Sequence, residues 1–392
     1  MYLSNEEERI LQGEKGTALQ KAMELLNSLG TIFGAEKLIE IKSAQISGVS
    51  YKNMGDGGID FLQHFKGEKV KVKTTLNPIG FDIEYPHYLN LSSDFIAKQI
   101  KILNLYKSMG VLATYTCTPY YFENIPSFGD DIAWAESSAV IYANSILGAR
   151  TNRESGVSAM AAALLGKTPF YGLHIPENRK ATLKIVLKFT PSMPDFAVIG
   201  LLVGEKVKSG IPYITGIRDY TETALKSLGA AMNATGAIPM FHAEMITPEW
   251  KISEQGLEKI TIEEKDIKEY REKFNSHKDP ELVALGCPHL SYSELKEIAL
   301  YLKNKKKKEN VELWLFTSRS TKQKAYNYVA QIEDFGGKVY ADTCMVVAPI
   351  NLRFKVTATN SGKAVYYLRL PNYSGQDTIF YDIYTLLEMV CK

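Results

Sequence analysis

The chain has four cysteines in 392 residues, and no two of them form a CxxC-type pair. That excludes zinc ribbons and ferredoxins, which hold their metals with closely spaced thiols. Four thiols in a chain this long do not make a disulfide scaffold either, and they suit a reducing cytoplasm. An excess of one charge is also missing. Lys+Arg number 46 and Asp+Glu 44, leaving +2, so there is no electrostatic footprint for nucleic acid. Long apolar runs are absent, and the most hydrophobic stretch, FAVIGLLVG from Phe196 to Gly204, is too short to span a bilayer. The opening MYLSNEEERI is acidic and lacks the pattern of a secretory or organellar signal. The expectation is a cytoplasmic globular protein with no membrane or nucleic-acid partner.

What is present is ordinary for such a protein: 45% hydrophobic and 23% charged residues. The length suggests two or three α/β units. A charge-rich stretch around HKDPEL suggests a boundary between an N-terminal α/β region, 1–280, expected to hold two subdomains, and a C-terminal α/β region, 281–392. Ser4-x-x-Glu7, Thr17-x-x-Gln20 and Ser291-x-x-Glu294 read as capping boxes. Ala18, Leu19, Ala22, Leu25, Leu26 and Leu29 form an apolar helical stripe closed by Gly30. VELWLF, a helix ended by Gly336-Gly337 and strand KVYA predict a βαβ unit with parallel strands. The stretch EKVKVKTTLNPIGFDIEY predicts strand, turn and strand around Asn77-Pro78, and the sequence from Gly172 to Gly204 alternates like further strands.

Cys117, Cys287 and Cys344 each stand just past a short apolar run that reads as a strand, in TYTCTPY, VALGCPHLS and VYADTCMVV. Ligands in open α/β sheets gather at the carboxyl ends of strands, so three separated thiols could converge there. Unrelated buried cysteines would look the same. Cys391, the penultimate residue, reads as a frayed tail and a poor ligand. Ser43, Ser47, Gly48, Ser50, Gly55, Asp56, Gly57 and Gly58 could cradle an anion or simply form a surface loop. Glu136, Ser137 and Ser138 fall in the first turn of a helix, which favours an anionic ligand, or leaves Glu136 as a surface residue complementing the dipole. Ser361-Gly362-Lys363 reads as a turn between strands, with Lys363 either an anion partner or a solvated tip. Gly166-Lys167-Thr168 lacks the first glycine of a phosphate-binding loop. His289 reads as a helix-entry residue, and the basic run Lys303 to Lys308 as a solvated helix end.

Taken together, SAQISGVSYKNMGDGG, TTLNPIGFD, TCTPY, AESSAVIYANSILGARTNRES, GCPHLS, DTCMVVAP and SGKAVYY resemble the aconitase X family along essentially the whole chain. That resemblance implies an aconitase-like α/β fold of several α/β/α subdomains and a hydro-lyase (dehydratase) activity. It implies an iron–sulfur cluster, [4Fe-4S] with one iron not bound by protein, on Cys117, Cys287 and Cys344. Gly48, Val49, Ser50, Asn77, Pro78, Glu136, Ser137 and Lys363 would line the substrate site, with Arg150 and Arg153 helping to bind an anion. One branch of the family dehydrates cis-3-hydroxyproline as a fused chain. The archaeal branch, split into two subunits, dehydrates (R)-5-phosphomevalonate to trans-anhydromevalonate 5-phosphate in a modified mevalonate pathway to isoprenoids. No small swivelling domain is legible in this chain, which suggests the second branch and a small swivel-domain partner subunit. The superfamily's proton-abstracting serine lies on that domain, so the base is expected on the partner, with Ser43, Ser47 or Ser50 next in line. The alternatives are another hydroxy-acid dehydratase, a non-catalytic iron–sulfur regulator and a cluster-free scaffold subunit.

Overall fold

In the computed structural model, residues 1–252 and 256–392 are described. Three parallel sheets share one winding rule. The first runs Lys73–Leu76, Ser43–Ile46, Ala133–Trp134. The second runs His242–Ala243, Pro212–Thr215, Leu183–Leu187, Lys259–Ile262. The third runs Lys338–Ala341, Glu312–Thr317, Leu282–Leu290, Val356–Thr359, Asp377–Phe380. In each, the earliest strand lies inside the sheet, the chain builds outward on one side, and it then crosses to the other. Such a reversal opens a crevice at the carboxyl ends beside the first strand. An antiparallel pair, Leu38–Glu40 with Lys167–Pro169, completes the first region. The architecture is the expected α/β class.

Local sequence explains the clear elements. Strands Leu282–Leu290 and Glu312–Thr317 are buried almost throughout, as strands covered on both faces must be. Ser4 with Glu7 and Ser291 with Glu294 both close their capping boxes. Thr17 does not. Gly16 takes the cap position without a side-chain bond, and helix Thr17–Ile32 continues through Gly30.

Several expected strands take other forms. FAVIGLLVG lies in helix Asp195–Val207, buried from Phe196 to Gly204. An apolar run offers no periodicity to separate a buried helix from a strand. The decisive signal precedes it: Asp195 accepts from the Ser192 N–H at 2.9 Å, a local start that alternation does not register. After Lys73–Leu76 no second strand forms, because the chain turns away at Asn77-Pro78 to cross to the third sheet. There the Ile79 N–H donates to the Asp342 carbonyl at 2.8 Å. Val111–Thr116 forms no strand: Tyr115 takes φ +46°, and the segment meets its neighbour through an isolated bridge, Thr75 with Leu112, and single backbone bonds. The sequence before Phe335 forms two helices, Arg319–Lys324 and Tyr326–Phe335, rather than one. Cys391 is buried and bridged to Lys307, so the tail is anchored rather than frayed. Among the described residues, no helix is long and apolar enough to cross a membrane.

Candidate active site

The third sheet reverses direction beside strand Leu282–Leu290, and Cys287 lies in that strand where its register slips. The slip needs Gly286. Its φ is +107°, and a Cβ there would lie 2.1 Å from the Phe316 carbonyl oxygen. The chain therefore bends at Cys287 instead of ending before it, a departure from the strand-end expectation. Cys344 follows strand Lys338–Ala341 after a turn at Asp342, whose φ is +64°. Cys117 follows an irregular segment that hydrogen-bonds to the first sheet, where the Thr116 N–H donates to the Leu76 carbonyl at 2.9 Å.

All three thiols are buried, and each feels the charges of Glu136 and Lys363. Cys391 lies apart, among Lys305, Glu388 and Lys308. Burial pushes the Cys287 thiol up to about 12, partly offset by Lys363. The Cys117 and Cys344 thiols are raised for the same first reason.

His289 ties the three thiol segments together. Its backbone N–H donates to Cys117 Sγ at 3.2 Å. Its Nε2 lies 2.9 Å from the Thr343 carbonyl, and its Nδ1 lies 3.0 Å from Thr116 Oγ1. A carbonyl only accepts, so Nε2 carries the proton and Nδ1 accepts from the threonine hydroxyl. Burial pulls the ring down to about 4 and keeps it neutral. His289 is thus more than a helix-entry residue. A neutral ring bonded beside two of the cysteines fixes how the segments meet. The Cys-Pro-His spacing was visible in the sequence, but its partners are distant in the chain.

Glu136 and Lys363 form a buried ion pair. Glu136 caps helix Ser137–Tyr142, and its carboxylate accepts from the Ala139 N–H at 2.7 Å and the Ser138 hydroxyl at 2.6 Å. Lys363 Nζ donates to the same carboxylate and lies 3.4 Å from Ser138 Oγ. Burial alone would raise the Glu136 carboxyl, but Lys363 and the hydrogen bonds outweigh it and hold it below the usual range. The start of this helix therefore satisfies its own carboxylate. Lys363 is not on a hairpin tip. It lies in the first turn of helix Gly362–Arg369, capped by Ser361, whose hydroxyl also donates to the Cys287 carbonyl. The second strand expected after the Ser361 turn is this helix.

The remaining loops arrive from the first sheet. Gly48, Val49 and Ser50 link strand Ser43–Ile46 to helix Tyr51–Gln63, and Ser50 Oγ donates to the Val347 carbonyl at 3.4 Å. Much of the small-residue stretch is thus helix, kinked at Gly55, rather than a surface loop. The Asn77 N–H donates to the Ile46 carbonyl at 3.0 Å, placing Asn77-Pro78 beside that connection, while Asn77 Oδ1 is buried without a hydrogen-bond partner among the described residues. Arg319 fastens this layer to the third sheet by pairing with Asp82, Glu84 and Asp342. Arg153 is exposed, and Arg150 is half-buried, its Nε without a hydrogen-bond partner among the described residues. Gly166 ends a helix and Lys167 pairs with Glu7 at 2.7 Å, so that motif cradles no phosphate.

The donor chemistry fits an iron–sulfur cluster. Three soft thiols lie near enough to feel one another's charges in a buried setting, one receives an N–H···S bond, and the fourth cysteine is elsewhere. Among the described residues, no three His, Cys, Asp or Glu side chains converge tightly enough for a single metal ion.

Family profiles for the first, second and third domains of aconitase X match residues 1–177, 181–272 and 280–392. The chain belongs to the aconitase X family. The phosphomevalonate dehydratase large subunit of Thermococcus kodakarensis is 49% identical over 94% of this chain and 95% of that relative. That of Methanocaldococcus jannaschii is 48% identical over 99% and 100%. The cis-3-hydroxy-L-proline dehydratase of Hypocrea jecorina is 32% identical over 99% of this chain and 68% of its own length. The crystal structure of Thermococcus kodakaraensis aconitase X in its holo-form superposes with a TM-score of 0.93 at 47% identity, covering 100% of both chains.

Proposed function

We propose that this aconitase X chain is the large subunit of a cytoplasmic hydro-lyase converting (R)-5-phosphomevalonate to trans-anhydromevalonate 5-phosphate. The observation that carries this reading is the gap in identity, 49% and 48% to phosphomevalonate dehydratase large subunits against 32% to a hydroxyproline dehydratase. In this reading Cys117, Cys287 and Cys344 hold a [4Fe-4S] cluster with one iron free of protein. When bound, such a group supplies Lewis acidity for hydroxide, a poor leaving group.

The chain's own residues bind and orient the substrate. Gly48, Val49 and Ser50 offer backbone and hydroxyl groups where helix Tyr51–Gln63 begins. Asn77 Oδ1, buried and unpartnered, accepts a substrate hydroxyl, with Pro78 shaping that wall. Glu136 holds Lys363 in place beside Ser137. Two of the three Lys363 donors face Glu136 and Ser138, leaving one for a substrate oxygen. The reaction breaks a C–H bond next to the carboxylate and a C–O bond at the neighbouring carbon, releasing water. The proton goes to a base on a small swivel-domain subunit, which also closes the site against solvent. The relatives' designation as large subunits supports such a partner.

The test is an anaerobic assay of the reconstituted chain, alone and with the small subunit, on phosphomevalonate and on cis-3-hydroxy-L-proline. Activity on the former that requires the partner is expected. Preference for the latter would overturn the substrate, and full turnover by this chain alone would return the base to Ser43, Ser47 or Ser50.

A further inference from the structure

Three lysines approach the cysteines from different elements. Lys363 is paired with Glu136. Lys226 is paired with Glu294 at 2.6 Å and donates to the His289 carbonyl at 3.2 Å. Lys52 differs: its Nζ is buried and has no hydrogen-bond partner among the described residues. It sits in the first turn of helix Tyr51–Gln63, two residues after Ser50 and close enough to Cys344 to feel a charge there. The Ser50 bond to the Val347 carbonyl fixes that turn against the segment that carries Cys344. An ammonium taken from water with nothing to offset the loss is costly, so such a group persists where a ligand completes it.

The Glu136–Lys363 pair is close to neutral as a unit, so it offers a hydrogen bond more than a net positive charge. An anionic substrate needs a cation whose charge is not already matched. We infer that Lys52 is the principal cationic contact for an anionic oxygen group of the substrate, a carboxylate or phosphate, at the wall formed by Ser50 and the Cys344 segment. The helix start that carries Lys52 adds its dipole to the same end. This inference rests on the dehydratase reading and names the residue that recognises the substrate's charge.

The experiment compares wild type, Lys52→Met and Lys52→Arg, each loaded with its cluster and combined with the small subunit. Four quantities are read: iron content with visible absorbance, melting temperature, calorimetric Kd for (R)-5-phosphomevalonate, and KM against kcat. Lys52→Met is expected to raise Kd and KM about 30-fold or more, the scale of removing one partner of a desolvated charge pair. Lys52→Arg should recover most of that loss. Iron content should stay at the wild-type level, and Lys52→Met should melt no lower than wild type, because it removes an unmatched buried charge. Unchanged Kd in Lys52→Met overturns the inference. So does loss of iron in Lys52→Met that is restored in Lys52→Arg, which would assign the ammonium to the thiolates. A drop of several degrees in melting temperature would assign it to the fold. The wild-type control separates the two proposals: if it turns over only cis-3-hydroxy-L-proline, the substrate reading falls, and the same variant ratios measured on that carboxylate still decide the role of Lys52.

Discussion

The second and third sheets are wound alike, yet among the described residues the third, not the second, brings the candidate site's cysteine and lysine to its crevice. In the third, the reversal lies between Leu282–Leu290 and Val356–Thr359, and those strands lead to Cys287 and to Ser361–Lys363. In the second, it lies between Leu183–Leu187 and Lys259–Ile262, which lead to an exposed Lys188 and to Glu263, the cap of helix Glu264–Glu272. The winding rule makes a crevice available, and the residues after the strands decide its use. What the second sheet contributes is a backing. Its helices Asp195–Val207 and Glu222–Gly236 pack closely enough that a Cβ on Gly362 would lie 2.9 Å from the Ala197 carbonyl oxygen. A Cβ on Gly229 would likewise lie 3.1 Å from Ile141, in the helix that Glu136 caps. The second unit thus presses together the two helix starts that carry Glu136 and Lys363.

The largest expected effect falls on the side of the comparison that carries the candidate cysteines. Cys117→Ser, Cys287→Ser and Cys344→Ser should each lose the visible absorbance and most bound iron after anaerobic reconstitution, and activity with them. Cys391→Ser should keep both, since that thiol lies in a separate core. Full iron retention in all three single variants would remove the cysteines from the site.

Next comes the buried pair. Removing one partner leaves the other charged and unmatched, a loss of roughly 3–5 kcal/mol in stability. Glu136→Gln and Lys363→Met should therefore each lower the denaturation midpoint clearly. The double variant should regain most of that stability, because no unmatched charge remains, while kcat/KM stays depressed by about 30-fold or more. If the double variant recovers activity along with stability, the pair serves only the fold.

A smaller effect tests the backing. A Cβ on Gly200 would lie 2.3 Å from the Leu228 carbonyl oxygen, so Gly200→Ala must spread the two helices of the second unit. Overpacking of this kind costs about 1–3 kcal/mol. The melting temperature should fall and kcat should drop a few-fold, because helix Glu222–Gly236 also meets the Cys287 strand, where Lys226 donates to the His289 carbonyl. A normal kcat beside a lowered melting temperature would confine the second unit to stability.

The same contrast separates what the sequence disclosed from what it hid. Ser291 with Glu294, VELWLF and KVYA were legible because capping and buried-strand composition are local signals. The cysteine positions were legible as isolated thiols near apolar runs, and the family motifs grouped them. In the second unit, strand Leu183–Leu187 was legible by alternation, while helix Asp195–Val207 was hidden because FAVIGLLVG is apolar on every face, so period could not distinguish helix from strand. Lys363 was misread as a turn residue because Ser-Gly-Lys between apolar stretches suits a hairpin as well as a helix cap. The segments holding His289 and Lys52 were visible, but their roles depend on partners brought together only by the fold.

The smallest predicted effect is the sharpest test of the contrast. Lys188 directly follows the strand beside the reversal of the second sheet, whereas Cys287 lies within the corresponding strand of the third, at its register slip. It is exposed, and its N–H is bonded to the Ile262 carbonyl at 3.0 Å regardless of side chain. Substituting an exposed residue with no buried partner usually changes stability by less than about 0.5 kcal/mol. Lys188→Ala should thus leave kcat and KM for phosphomevalonate within about twofold of wild type, a difference of about 0.4 kcal/mol at most. A rise in KM approaching that of Lys52→Met would mean that the second crevice also meets the substrate, and the division into a reacting half and a backing half would fail. An unchanged KM, beside the large losses in the third sheet, would tie function to the residues after the strands rather than to the winding they share.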